Sequence, residues 1–288
     1  MVQHLTKSLG LTDEQLTAIG DLEDLCNQAD GLSLKFNPNM LRDRAENQAN
    51  DFLYYDDAQL IGYLALYSFN TREVEISAMT HPAYRRQGIF KHLLAAAREE
   101  VRQRSVPDLL FICERASPAS APTMQAISAA YDFSEHKMVL THAPQSIAWP
   151  ANLALRDAQL SDIEEMARMD ALCFQTDLEP SRTWLETVLT NDSRRAWIAT
   201  LNGRTIGKIQ ISLAGGETYI NAFCILPAYR GRGYGKAILS HIVAHLLAEK
   251  HPLISLEVET ENESALSLYY RAGFEVTTAY DYYRLPVT

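Results

Sequence analysis

Residues Arg230, Gly231, Arg232, Gly233, Tyr234, Gly235 and Lys236 set three glycines at alternate positions among three cations. Glycine lets a backbone approach a ligand closely, and the N–H groups that open a helix bind anions. The chemistry suited to this spacing is the holding of a pyrophosphate. G-x-G-x-G followed by Lys is neither G-x-G-x-x-G nor G-x-x-x-x-G-K-[ST], so dinucleotide and Walker-type loops do not account for it. The alternative is a surface turn whose glycines only cap a strand. An apolar, strand-like run ends at Cys224-Ile225 just before the stretch, and Ile238, Ile242 and Leu246 recur after it at helical spacing. The stretch is therefore read as a loop joining a strand to a helix.

The pattern occurs a second time. Pro82, Tyr84, Arg85, Gly88 and Lys91 each precede Pro227, Tyr229, Arg230, Gly233 and Lys236 by 145 positions. A period this long marks a duplicated domain, since solenoid repeats run from about 20 to 50 residues. With 288 residues, two domains are expected, at 1–145 and 151–288, with the boundary in 141–150, where Pro144 and Pro150 forbid a continuous helix. In the first copy the patterns predict helices over 12–29, 40–48, 89–104 and 122–130 and strands over 52–55, 60–69, 74–79, 109–114 and 133–140. In the second they predict strands over 153–156, 196–201, 205–213, 219–225 and 253–258, helices over 161–174, 181–190 and 263–272 beside the one after the glycine loop, and a final pair of strands. Asn202-Gly203 marks a hairpin turn.

Composition narrows the function. The 36 acidic against 26 basic side chains give a net charge of -10, which disfavours nucleic acid as a partner and suits cationic small molecules or peptides. No apolar run approaches bilayer length, and Met1 to Lys7 lack the apolar core of a signal peptide, so a cytoplasmic protein with no membrane partner is expected. Cys26, Cys113, Cys173 and Cys224 show no C-x-x-C spacing, so neither a zinc site, nor any other metal, nor a disulfide framework is indicated.

The glycine loop resembles the acyl-CoA-binding turn of the GNAT superfamily of N-acetyltransferases, [RQ]-x-x-G-x-[GA], which Arg230, Gly233 and Gly235 fill. Asn262, Ala265, Leu268, Tyr269, Gly273 and Phe274 form N-x-x-A-x-x-L-Y-x-x-x-G-F, similar to the family's second signature. The resemblance covers 152–288 and, more weakly, 12–141. It implies an α/β fold of two tandem GNAT-type domains, each a mixed, mostly antiparallel sheet flanked by helices, that splays between its fourth and fifth strands around a CoA thioester. It also implies acetyl-CoA as co-substrate and a primary amine of a small molecule or peptide as acceptor. A non-catalytic CoA-binding sensor is the alternative. Fusion of two copies supplies an internal pair, so a monomer or weak homodimer is expected.

Acetyl transfer requires deprotonation of an amine, stabilisation of an oxyanion and protonation of a thiolate. By the resemblance Tyr269 is the proton donor, as a phenol of ordinary pKa about 10 stays protonated at neutral pH. Phe223, Cys224, Ile225 and Leu226 carry the expected oxyanion N–H and the start of the cofactor site, which continues through Arg230 to Lys236. Asn262 belongs to that site as well, while serving as a helix N-cap. For the base, Glu257 lies twelve residues before Tyr269, as in ribosomal-protein alanine N-acetyltransferases. Glu217 is its competitor, and ordered water the third choice. Tyr219 and Asn221, which are not bases at neutral pH, join Asp177 and Glu179 on the acceptor side; the two acids either hold an ammonium or serve as helix caps. The two-copy layout resembles that of mycothiol synthases.

In the first copy, Arg85, Arg86, Gln87, Gly88, Phe90 and Lys91 are the candidates for a second CoA site, and whether that copy binds CoA stays open. Counting back from Phe274 and Phe133 puts Ser128 opposite Tyr269 and Ala121 opposite Asn262. Phe90 stands opposite Gly235, where its bulk narrows the approach to a pyrophosphate. The N-terminal half is accordingly expected to be degenerate and non-catalytic.

Overall fold

The computed structural model describes residues 2–36, 38–42, 47–145 and 147–287. Its backbone forms two compact units, Met1–Ser134 with Thr278–Thr288, and Glu135–Thr277. The division differs from the sequence expectation of a cut between 145 and 151, and the strands explain why.

Along unit 1 run β1 (Gln3–Ser8), α1 (Asp13–Asp30), α2 (Pro38–Arg42), β2 (Asp51–Asp56), β3 (Gln59–Tyr67), β4 (Glu73–Thr80), α3 (Ile89–Gln103), β5 (Asp108–Glu114), α4 (Ser120–Ala126) and the start of β6 (Ala130–Leu140). Thr12 caps α1 in a full capping box with Gln15, and Gly31 closes it in the left-handed conformation, φ 67°. The helix expected over 40–48 is seen only as α2; residues 43–46 lie outside the described residues. β1 is an element that the sequence patterns did not indicate.

Unit 2 continues β6 and adds β7 (Leu153–Asp157), α5 (Ile163–Phe174), α6 (Leu178–Thr190), β8 (Arg194–Leu201), β9 (Arg204–Ala214), β10 (Glu217–Ile225), α7 (Tyr234–Ala248), β11 (Leu253–Glu259), α8 (Glu263–Arg271) and the start of β12 (Phe274–Pro286). The expected final pair of strands is one continuous strand, β12.

Within unit 1 the sheet order is β1-β2-β3-β4-β5, followed by the end of β12. Only β4–β5 is parallel, and Tyr280 to Pro286 of β12 pair antiparallel with Glu114 to Asp108. Within unit 2 the order is β7-β8-β9-β10-β11, then the end of β6, whose Glu135 to Val139 pair antiparallel with Glu259 to Ser255. Only β10–β11 is parallel. The strand that follows each unit's own α4 or α8 thus completes the other unit's sheet edge. An unpaired edge of N–H and C=O groups is costly, and β6 and β12 each cover one such edge.

Helices cover both faces of the unit 2 sheet. Ile238, Ile242 and Leu246 of α7 are buried against Ile209, Ile220 and Leu256. On the opposite face, Met166 and Met169 of α5 and Leu185 and Val188 of α6 pack on Ala196 and Ile198. Each such side chain contributes roughly 1.5–3 kcal/mol by burial.

Candidate active site

The parallel pairing of β10 with β11 ends at Ile220 and Leu256. Beyond it, β10 bulges against β9 between Asn221 and Cys224, with Ala222 at φ 44°. A β-bulge leaves backbone groups out of the ladder and re-aims the strand, and a left-handed conformation in a residue with a Cβ costs about 1–2 kcal/mol. Gly207 accommodates the bulged strand, because a Cβ there would come within 2.3 Å of the Cys224 carbonyl oxygen. The bulge is absent from unit 1, where β3 and β4 pair from Gly62–Thr80 to Tyr67–Glu75 without a shift. Ile76 and Ile220, the last residues of the two parallel pairings, are 144 positions apart, whereas Arg85 and Arg230 are 145 apart. The extra residue is the bulge.

After β10, the turn Pro227–Tyr229 leads into the glycine loop. Gly231 and Gly233 have φ 73° and 82°, and a Cβ added at either meets nothing within 4 Å, so the space above the loop is open. Gly233 is the N-cap of α7 and offers no side chain. The first N–H groups of a helix have no partner within it, and here the helix starts directly after this open loop, in a stretch that carries Arg232 and Lys236. These are the properties of an anion cradle, so the residues present fit a CoA pyrophosphate. At position 235 a Cβ would touch Ile225, Leu268 and Phe223 at 3.6 to 3.8 Å.

Several residues expected at the site have other tasks. Arg230 braces the loop: its Nε–H donates to the Ile225 carbonyl oxygen at 2.8 Å, and its guanidinium reaches Cys173 Sγ at 3.6 Å. Cys224 is buried in the layer below α5. A hydrogen bond from Cys224 lowers the Cys173 thiol to about 6, with Arg230 aiding and burial opposing; Cys224 is correspondingly raised by that partner and by burial. The Leu226 N–H donates to the Ile206 carbonyl oxygen at 2.8 Å, which takes it out of the set of oxyanion donors. The Asn262 side chain accepts from the Ala265 N–H at 3.2 Å and caps α8. Glu179 is on the surface, ion-paired with Arg182, and Asp177 occupies the N-cap position of α6 without a side-chain cap bond.

Tyr269 is buried, 8% exposed, with its ring edge-to-face on Phe274. Burial pushes its phenol up to about 12, so it stays protonated throughout the neutral range. On the α5–α6 face of the sheet, the Tyr219 hydroxyl donates to Glu257 Oε2 at 3.0 Å. Glu217 accepts from the Ser255 hydroxyl, and its Oε1 lies 2.9 Å from Lys137 Nζ. Strand register puts Glu217, Tyr219 and Asn221 on one face of β10 and Ser255 and Glu257 on the same face of β11.

The sequence patterns missed a buried polar row on β9. Lys208 Nζ lies 2.5 Å from Asp170 Oδ1 of α5, and Asp170 Oδ2 accepts from Ser181 Oγ of α6 at 2.9 Å. Ser212 Oγ accepts from Asn221 Nδ2 at 3.4 Å. Gln210 is 1% exposed. Its available signal was the alternation Lys208, Gln210, Ser212 between isoleucines, which reads equally well as a solvated face.

In unit 1 the corresponding places are filled. The Phe90 ring packs edge-to-face on Phe111 at 6.5 Å, and Phe111 is the last β5 residue paired with β4. Ser128 lies past the end of α4 at φ 60°. The segment after α1 crosses the sheet face: the Ser33 N–H donates to Glu114 Oε2 at 2.6 Å, the Lys35 carbonyl oxygen accepts from Ser77 Oγ at 2.8 Å, and Lys35 Nζ donates to the Tyr282 hydroxyl at 2.6 Å. Arg85 braces its loop through Thr80 and a bidentate pair with Asp30 at 2.7 and 2.8 Å.

The fold, its two splayed sheets and its two loops define an acyl-CoA N-acyltransferase architecture. The sequence profile of the Acetyltransferase (GNAT) family matches residues 17–125 and again 160–274; the chain belongs to that family, as a tandem member and an N-acetyltransferase enzyme. It is similar to the mycothiol acetyltransferase of Clavibacter sepedonicus, 26% identical over 212 residues that cover 70% of this chain and 69% of that one. An acetyltransferase of Yersinia pestis (strain Pestoides F) is 26% identical over 129 residues, 43% of this chain and 88% of that one. Two solved structures share the fold over nearly the whole chain. The GCN5-related N-acetyltransferase from Sphaerobacter thermophilus has a TM-score of 0.78 at 17% identity, covering 99% of this chain and 96% of that one. A tandem GNAT protein from the clavulanic acid biosynthesis pathway has 0.76 at 18%, covering 100% and 99%. Among the described residues no cluster of His, Cys, Asp and Glu suits a metal, and no helix is long and apolar enough to cross a membrane.

Proposed function

We propose that unit 2 transfers an acetyl group from acetyl-CoA to a primary amine of a small molecule or peptide, and that unit 1 does not. The observation that carries this reading is the one-residue bulge at Ala222, present where β10 leaves β11 and absent from β4. Acetyl-CoA, when bound, supplies a thioester carbonyl at which a C–N bond forms as the C–S bond breaks. The N–H groups at the start of α7 hold the pyrophosphate, with Arg232 and Lys236 adding charge. A backbone N–H freed by the bulge is the oxyanion donor. Glu257 takes a proton from the amine, directly or through water, and Tyr269 gives one to the departing thiolate. Retention of Tyr269 and the open loop favours catalysis over a binding-only sensor, which needs no proton donor.

The test is release of CoA thiol from acetyl-CoA with a panel of polyamines, amino acids, aminoacyl sugars, aminoglycosides and peptide N-termini, with the acetylated product identified by mass. Transfer to at least one amine is expected. Glu257→Gln is expected to remove the acidic limb of the pH–rate profile, and a limb that persists moves the base elsewhere.

A further inference from the structure

The two units use different residues at the same place in the sheet. By strand pairing, Tyr63, Ala65 and Tyr67 of β3 stand where Lys208, Gln210 and Ser212 of β9 stand. The first three belong to an apolar cluster with Ile19 and Leu22 of α1. Tyr63 and Tyr67 carry hydroxyls, that of Tyr63 donating to Asp51, but Ala65, which stands opposite Gln210 in this comparison, carries no polar side chain. The fold does not require an amide at that position, and its presence under α5 and α6 needs another reason. Lys208 has Asp170 and Ser212 has Asn221. Gln210 has neither: both its Nε2 and its Oε1 are buried without a hydrogen-bond partner. A buried polar group left unpaired in this way marks a site that something else satisfies.

We infer that Gln210 determines acceptor specificity, and that its amide pairs with a primary carboxamide borne by the acceptor. This rests on the reading of unit 2 as the acetyl-transfer site. An ammonium only donates and leaves Nε2 unspent, while a carboxylate or ester only accepts and leaves Oε1 unspent. A primary carboxamide presents a C=O and an N–H side by side, which meet an Nε2–H and Oε1 together. Gln210 is paired with Asn221, the last residue before the bulge. Neighbouring strands lie about 4.8 Å apart, so the carboxamide belongs two or three bonds from an amine at the bulge.

The experiment compares alaninamide, N-methylalaninamide, alanine methyl ester and 2-aminobutane as acceptors for the full chain, by thiol release. Alaninamide is expected to have a kcat/KM at least about 10-fold above the others. Gln210→Leu should level the four, through KM for alaninamide, without lowering the melting temperature; Gln210→Met serves if the leucine variant does not fold. Equal rates for the wild-type protein, or a preference that survives in a folded variant, overturn the inference and assign Gln210 to a buried water, with the acetyl-transfer reading intact. If neither variant folds, the wild-type preference decides. Absence of thiol release with these four and with the wider amine panel overturns both readings.

Discussion

Arg86 in unit 1 and Gly231 in unit 2 both have left-handed backbones, φ 65° and 73°, and Gly88 and Gly233 match at 85° and 82°. The two loops have one conformation, which unit 1 keeps although Arg86 is strained in it by about 1–2 kcal/mol. Their surroundings differ. Gly235 places no side chain beside Ile225, Phe223 and Leu268, whereas Phe90 puts a ring against Phe111. The bulge, the buried Tyr269 and the polar row on β9 are found in unit 2, while unit 1 has a regular β4, Ser128 and an apolar cluster. The loop conformation is thus shared where the surroundings differ, and in both units an arginine, Arg85 or Arg230, braces the strand-to-helix junction by donating to a carbonyl oxygen of the preceding strand.

The largest effect is expected from cutting the chain. A fragment of residues 151–288 loses the β6 partner of β11 and carries the end of β12 without β5. It should lack a cooperative thermal transition, whereas a fragment of residues 135–277 should have one. Cooperative melting of 151–288 with native-like secondary structure would show that β12 can close its own unit's edge.

Within the intact protein, Tyr269→Phe is expected to lower kcat by about 10²- to 10⁴-fold with little change in KM for acetyl-CoA. A variant that keeps more than roughly half its turnover would remove Tyr269 from the donor role. Gly233→Asp puts a Cβ at φ 82° and a carboxylate beside a pyrophosphate. Strain and like-charge repulsion should weaken CoA binding by about 10²-fold or more by calorimetry, and Gly88→Asp should leave acetyl transfer unchanged. The reverse pattern would place catalysis in unit 1.

The smallest effect is on alkaline stability. Burial raises the Tyr269 phenol from its ordinary 10 to about 12, so between these values the folded protein holds a proton that the unfolded chain has lost. The resulting stabilisation is fully present below about pH 10 and is lost as pH rises through about 12. Tyr269→Phe has no such group, and its stability relative to the wild type should rise across that window in urea titrations. Parallel curves would mean that the phenol is not buried as described.

Much of the site was legible in short stretches. The loop at Arg230 to Lys236, the α8 cap at Asn262 and the α1 cap at Thr12 depend on residues within a few positions of one another, and each forms where its spacing indicated. The role of Arg230 was not legible, since a cation beside glycines suits a phosphate as well as a carbonyl oxygen. Neither was the bulge, because Asn221-Ala222-Phe223-Cys224 contains no glycine to announce a positive φ. The polar row on β9 has the alternation of a half-exposed strand, and only the packing of α5 and α6 turns that face inward.

By itself, the sequence determined the duplication, the two strand-loop-helix turns, the capped helices and the serine, Ser128, at the place counted opposite Tyr269. These rest on local backbone preferences and on residue identity. Tertiary structure decided which strand completes which sheet, and so that β6 lies beside Glu257 while the end of the chain lies beside β5. A strand meets half its hydrogen-bonding demand from a distant partner. β6 and β12 both offer the same backbone groups to either edge, so their partners follow from the assembled units rather than from any pattern within the strands.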